Sequence, residues 1–216
     1  MALSLPPPII QKVARLRALQ YKGSDLVLWD TPCILTPIQM EVYKNFILLK
    51  EFGSKCRPLQ YLIAKLQAKT GVKIVNEKFG YADTLLDKKR LLDFNVGQFE
   101  LLGHGKVDII KLDFESLEFI FKTSSTYAQE YKSLVGLQKF PVDFTMAGLA
   151  AGCLEGVCGK QMFCLETRCI AKGDVFCEFI IKPIDKWNKK QINGFEKFLN
   201  KNYENQLATK WKIITK

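Results

Sequence analysis

The chain has 216 residues, 48% of them apolar and 25% charged, proportions that exclude a largely disordered protein and allow one domain with a real core. No run approaches the roughly 18 to 20 apolar residues of a membrane helix. Met1–Ile10 has no cationic start and carries Pro6-Pro7-Pro8, so neither a span nor a secretory leader is expected. The formal charge of +10 is uneven: residues 183–216 hold eight lysines against Asp185, Glu196 and Glu204, a balance of +5, and the first 182 residues carry the other +5.

That basic segment also holds Trp187, Tyr203 and Trp211, a composition that could touch nucleic acid or an acidic surface. A solvated helix face is the simpler reading, and nucleic acid is not the expected partner. The seven cysteines are odd in number and none forms a C-x-x-C pair. Without a leader, this fits reduced thiols or metal ligands in a cytoplasmic protein better than a disulfide framework.

Taken in chain order, Ile9, Val13, Leu16 and Leu19 fall at helical spacing after the proline run. Thr36-Pro37 reads as an N-cap and first helical residue, opening a helix to about Phe52 that Gly53 ends. Pro58 to about Thr70 repeats the device, with Leu59, Leu62, Ile63 and Leu66 on one face and Gly71 following. Asp83 to about Phe94 is a fourth helix. The period then changes. Val107–Leu112 and Ser116–Lys122 read as strands of a hairpin, with Leu117, Phe119 and Phe121 alternating against Glu118, Ile120 and Lys122. Helical sequence returns from Ser125 to about Leu137, and Asp143 can cap a helix from Phe144 to about Val157. A second hairpin, Gln161–Ile170 and Val175–Lys182, ends at Pro183. The fold class expected is α+β: an antiparallel sheet of about four strands with helices packed on it, and a helical N-terminal half.

Three features between Pro141 and Pro183 stand out. Gly148, Gly152 and Gly156 lie at i, i+4 and i+8, a side-chain-poor stripe that a neighbouring helix, the sheet or a ligand must approach closely. Close packing of elements is the simpler explanation. The turn Ala171-Lys172-Gly173-Asp174 suits a three-residue loop with a bulge at Gly173. Centred there, the register sets Cys169 opposite Cys177 and Arg168 opposite Glu178. Glu166 completes E-x-x-C-x7-C, donors that zinc accepts in tetrahedral array. In a regular strand Glu166 and Cys169 point to opposite faces, so a shared metal needs a bulge near Thr167. Otherwise the cysteines are small buried apolar residues. The single histidine, His104, sits between glycines in a turn, and no nucleophile–base pair or cofactor loop is evident. No catalytic residue is assigned, and a binding protein is favoured over an enzyme.

The segment Phe140-Pro-Val-Asp-Phe-Thr-Met-Ala-Gly-Leu-Ala-Ala-Gly-Cys-Leu-Glu-Gly-Val-Cys-Gly-Lys160, with Leu165–Phe179 after it, resembles the 4-vinyl reductase domain family. The shared pattern is A-G-x-x-A-G-x-x-E, then E-x-x-C-x-A-x-G-D-x-x-C-x-F. The resemblance implies a fold like the small subunits of the TRAPP vesicle-tethering complex and a small-molecule or hydrocarbon-binding module, often dimeric. In the aromatic-responsive activators of that family, the glutamate and two cysteines bind zinc together with an upstream cysteine. Carried over, these positions are Glu166, Cys169 and Cys177, with Asp143 standing where the fourth ligand falls, a carboxylate in place of a thiol. The organisation expected is an N-terminal helical extension over 1–22, a ligand-binding domain over 23–183 and a basic helical tail over 184–216. The expected partner is a small apolar ligand in a homodimer, with Phe119, Phe121, Met146, Gly152 and Phe163 as candidate ligand-binding residues. The alternative is a ligand-free homodimeric interaction subunit.

Overall fold

The computed structural model describes residues 19–23, 25–28, 31–33, 36–81, 83–192 and 195. It opens on a small antiparallel meander, β1 (Leu19–Lys22), β2 (Asp25–Leu28) and β3 (Thr31–Cys33). Strands of three or four residues carry too little alternation to be read, so the sequence pattern does not announce the meander. The expected helix over Ile9–Leu19 lies outside the described residues except for Leu19, which is in β1.

The helical part of the N-terminal half begins with α1 (Ile38–Phe52). Pro37 occupies the N-cap with no side-chain hydrogen bond, so Thr36 does not cap it, and Gly53 ends it at φ 59°. Next comes α2 (Cys56–Phe79), which runs straight through Gly71 and stops only at left-handed Gly80. Gly71 has a negative φ and breaks nothing, because Val72 and Val75 carry the apolar face onward into the core. The face expected to be buried also differs. Leu62 is buried as expected and Leu66 half-buried, but Leu59 and Ile63 are exposed, whereas Tyr61, Ala64, Lys65, Ala68 and Val72 are buried. Small residues are favoured there because α2 meets its neighbour at backbone distance. Then α3 (Leu85–Leu101) starts at Thr84, whose hydroxyl accepts from the Asp87 N–H at 3.1 Å, and runs a further two turns past Phe94.

The four-stranded sheet is antiparallel throughout, in the order β4-β5-β7-β6: β4 (Val107–Asp113), β5 (Glu118–Thr123), β6 (Met162–Arg168) and β7 (Cys177–Pro183). The α+β architecture expected from the pattern is therefore the observed one. In β5, Phe119, Phe121 and Thr123 are buried and alternate with half-buried Glu118, Ile120 and Lys122. Between the hairpins lie α4 (Thr126–Val135) and α5 (Phe144–Cys158), capped by Ser125 and Asp143.

Helix α5 is buried nearly all round, as a helix placed between two layers must be. One face lies on the sheet and the other on α2. A Cβ on Gly148 would stand 2.2 Å from the Tyr61 carbonyl oxygen, and one on Gly152 would stand 2.0 Å from that of Lys65. On Gly156 it would meet the Val72 side chain at 2.8 Å. The glycine stripe is thus the seat of α2, the packing explanation of the three that the spacing allowed. Glu155 fastens the same contact. Its carboxylate pairs with Lys65 at 2.7 Å and Lys69 at 2.9 Å, and accepts from the Met162 N–H at 3.1 Å.

After β7 a short 3₁₀ turn, Ile184–Lys186, leads to Trp187, which packs edge-on against Phe163 at 5.6 Å. Phe195 packs on Tyr61 and Phe163. The described start of the basic segment is turn rather than α-helix, and the rest of the expected helical tail lies outside the described residues. No helix among the described residues is long and apolar enough to cross a membrane.

Candidate functional site

The register of the second hairpin decides what its side chains can do. Met162 through Glu166 pair with Pro183 through Phe179, then the pairing shifts by one residue, so that Arg168 faces Glu178. Thr167 is the extra residue, and its hydroxyl donates to the Glu178 carboxylate at 2.9 Å. An added residue reverses the alternation beyond it, which brings Cys169 to the face that carries Glu166, Cys177 and Phe179. The turn is longer than the three-residue loop expected. A 3₁₀ turn over Ile170–Lys172 precedes Gly173, which is left-handed at φ 103°. The Asp174 carboxylate closes the loop by accepting from the Cys169 N–H at 2.8 Å. Those three turn residues account for the added length, and the Arg168–Glu178 pairing is retained.

Glu166, Cys169 and Cys177 converge, with donor atoms within 4.8 Å of one another and all three residues buried. The hydrogen bond between the two thiols lowers the pKa of Cys169 and raises that of Cys177. Burial, then the neighbouring Asp143 and Cys169, push Glu166 well above the usual carboxylate range. One of its oxygens accepts from the Asp143 N–H at 2.9 Å, and among the described residues the other, Oε1, has no hydrogen-bond partner. Asp143 stands beside the group but is committed elsewhere. Its Oδ1 caps α5 by accepting from the Met146 N–H at 2.9 Å, and its Oδ2 accepts from the Ser125 hydroxyl. Burial raises it to about 6. Two thiols, a carboxylate with an orphaned oxygen and no ion pair to either acid among the described residues form a donor set that suits a thiophilic divalent cation.

On the same face, one turn further into the protein, lies an apolar cavity. Met146, Ala150 and Cys153 of α5 form one wall, Leu92, Val96 and Phe99 of α3 a second, and Val107, Phe121, Thr123 and Phe179 the sheet floor. Its volume is about 10 Å³, room for about one water molecule, where a cavity that takes benzene has roughly 150 Å³. Phe121 and Met146, two of the five candidate ligand-binding residues, line it. The other three do not. Phe119 is buried against Phe114, Phe163 packs with Tyr61 and Trp187, and Gly152 faces α2. The α3 wall had no signal in the sequence beyond the helix itself. His104 packs edge-on to Phe99 at 6.1 Å, and burial lowers its pKa.

The cavity and the donor group share a strand, since Thr123 pairs with Cys177 and Phe121 with Phe179. Known proteins resemble this chain in sequence and in shape. The family model of the 4-vinyl reductase domain matches residues 135–183, which contain the glycine stripe and all four candidate metal ligands. Protein MJ1460 of Methanocaldococcus jannaschii is 26% identical over 165 residues, 71% of this chain and 95% of the relative. MJ0150 of the same organism is 48% identical over 40 residues, 18% of this chain and 23% of its own length. The phenol-responsive sensory domain of the transcription activator PoxR, solved with phenol, superposes with a TM-score of 0.70 at 16% identity, over 87% of this chain and 96% of that one. That likeness is one of fold. Residues 135–183 match the 4-vinyl reductase domain, and the family resemblance read from the sequence stands.

Proposed function

We propose that the protein is a small-molecule binding module whose ligand enters the cavity between α5, α3 and the sheet. The observation that carries this reading is an apolar cavity whose α5 wall and Phe179 belong to the residues matched by the 4-vinyl reductase domain, in a fold shared with a phenol-responsive sensory domain. Phe99, Phe121 and Phe179 offer ring faces, and Met146 is a flexible side chain able to yield. At its present volume the cavity admits no ring, so binding requires the α3 wall and Met146 to move outward. Affinity then comes from buried apolar area at roughly 25 cal/mol per Å². A thermal-shift screen of small aromatic and aliphatic compounds tests it. A ligand at a hundred times its dissociation constant raises stability by roughly 2.7 kcal/mol, and a screen in which no apolar compound shifts the transition removes the reading.

Zinc belongs to the same proposal as a structural ion held by Glu166, Cys169 and Cys177, fastening the two strands of the second hairpin to its turn. Asp143 joins as a fourth ligand only by releasing Ser125 or the Met146 N–H. The free thiols fit a reducing, cytoplasmic compartment. The second reading, a homodimeric interaction subunit, is favoured by one specific observation. Met40, Tyr43 and Ile47 stand exposed at i, i+3 and i+7 on α1, an apolar stripe of the kind that a partner helix covers. Native mass spectrometry of the purified protein reads subunit number, metal and retained ligand together.

A further inference from the structure

Arg57 stands half-buried near the start of α2, and among the described residues its buried Nε has no hydrogen-bond partner. Burial lowers its pKa. The groups that oppose the shift are the Cys56 thiol and the Tyr131 hydroxyl, and no carboxylate is among them. Drawing a guanidinium partly out of water costs free energy that a paired acid ordinarily offsets. Two aromatic rings hold it instead. The guanidinium carbon lies 4.2 Å from the centroid of the Phe140 ring and 5.3 Å from that of Phe144. Stacking on ring faces leaves the donor edge of the plane unused. One turn along the same side of α2, the Gln60 side-chain nitrogen is also buried without a partner among the described residues. The surroundings carry one sign of charge. Residues 52–76, which include Arg57, and residues 131–142, which include Phe140, contain no Asp or Glu, and Lys55 and Lys139 are exposed. Phe140 is itself exposed.

We propose that Arg57 and Phe140 form a docking site for an acidic segment of a partner protein, whose carboxylate pairs with the guanidinium while an adjoining apolar residue covers the Phe140 ring. Arg57, Gln60, Phe140 and Phe144 lie outside the cavity lining, so the site does not depend on the cavity being a ligand site. A carboxylate suits it better than the phosphates of a membrane surface. A membrane is held by many hydrated lysines, whereas a guanidinium fixed between two rings presents one fork to one planar acid. Arginine beside an exposed aromatic ring is also the composition in which protein interfaces concentrate their energy.

Selection of random peptides displayed on phage against the full-length protein reads the preference. Fluorescence anisotropy of the strongest binder reads what it depends on. Wild type is expected to enrich peptides with Asp or Glu beside an aromatic or aliphatic residue. Exchanging that acid for its amide in the peptide should weaken binding to wild type about tenfold. Arg57→Gln should weaken the acidic peptide by a similar factor and leave the amide peptide unchanged. Phe140→Ala should weaken both peptides, and Arg57→Lys, which keeps the charge without the fork, should recover little of the loss. No enrichment, or enrichment of peptides without an acid, overturns the proposal. So do acidic peptides that Arg57→Gln binds as tightly as wild type, because lysines elsewhere on the chain would then be holding them. Phosphatidylserine vesicles bound through Arg57, with no peptide enriched, put a membrane surface in place of the protein partner and overturn it as well. The acid-to-amide exchange is made in the peptide, so it decides even if Arg57→Gln fails to fold.

Discussion

The two faces of α5 are built from the same run of sequence to opposite ends. Toward α2, Gly148, Gly152 and Gly156 remove side chains so that two helix backbones touch, and Glu155 locks the contact with Lys65 and Lys69. Toward the sheet and α3, Met146, Ala150 and Cys153 keep side chains that stop short of filling the space. The first face cannot give, because backbone atoms are already in contact. The second can, because its boundary is made of side chains with rotamer freedom. A helix clamped on one side is a fixed wall from which the other side can open for a ligand.

The comparison breaks most sharply at the clamp. Gly152→Ala places a Cβ 2.0 Å from a backbone oxygen, which forces α2 away. The chain is expected to lose several kcal/mol of stability or to fail to fold, at the upper end of what single substitutions do. Gly148→Ala should be nearly as severe. Gly156→Ala should be milder, because its neighbour is the Val72 side chain rather than backbone. Urea unfolding midpoints would rank the three. Equal tolerance at all three positions would mean that the helices do not meet this closely.

Next in size is the charged lock. Glu155→Gln leaves the Lys65 ammonium buried beside a neutral group, and breaking such a pair costs roughly 3–5 kcal/mol. The pH dependence follows with a definite sign. Burial raises the pKa of Glu155, but Lys65 first and then Lys69 and the Met162 N–H more than offset it, so the folded pKa lies below the ordinary value of 4.5. The unfolded chain therefore binds this proton more readily. Its contribution to stability is full above about pH 4.5 and disappears as the pH falls through the folded value. Unfolding curves from pH 7 to pH 3 should converge for wild type and Glu155→Gln at the acid end.

A smaller effect separates the metal donors from their neighbour. Cys177→Ala should abolish metal retention by elemental analysis. Asp143→Ala should retain the metal and lose about 1 kcal/mol through the missing helix cap. Loss of metal from Asp143→Ala equal to that from Cys177→Ala would make Asp143 a ligand. Smallest of all is the open face. Ala150→Val adds two methyl groups toward the cavity and should change stability by no more than about 1 kcal/mol while blocking ring-sized ligands. A large loss of stability there would show that this face is as rigid as the glycine side.

Much of this was legible in the residues. The alternation in Phe119, Ile120 and Phe121 gave the strand and its buried face. Asp143 ahead of Phe144 marked the start of α5, and Arg168 with Glu178 marked a register that the ladder keeps. These are local matters, fixed by periodicity, caps and turn chemistry within a few residues. The glycine spacing announced a close approach but not what approaches, because any backbone satisfies a missing side chain equally well. Gly71 read as a helix end because a glycine alone does not reveal whether the chain beyond it has a surface to pack on, and α5 supplied that surface.

The metal group and the cavity mark the boundary most clearly. Glu166, Cys169 and Cys177 could be named from their types and spacing. Whether they share a face turned on one extra residue at Thr167, and a bulge is decided by how β6 meets β7 rather than by β6 alone. The cavity draws on α3, α5 and three strands that are distant in the chain. The sequence by itself determined the elements, their polarity and the chemical types on offer, since those depend on short-range sterics and hydropathy. Only the tertiary structure decided which face of α5 was filled and which was left open, because packing is a relation between segments, and neither segment carries it alone.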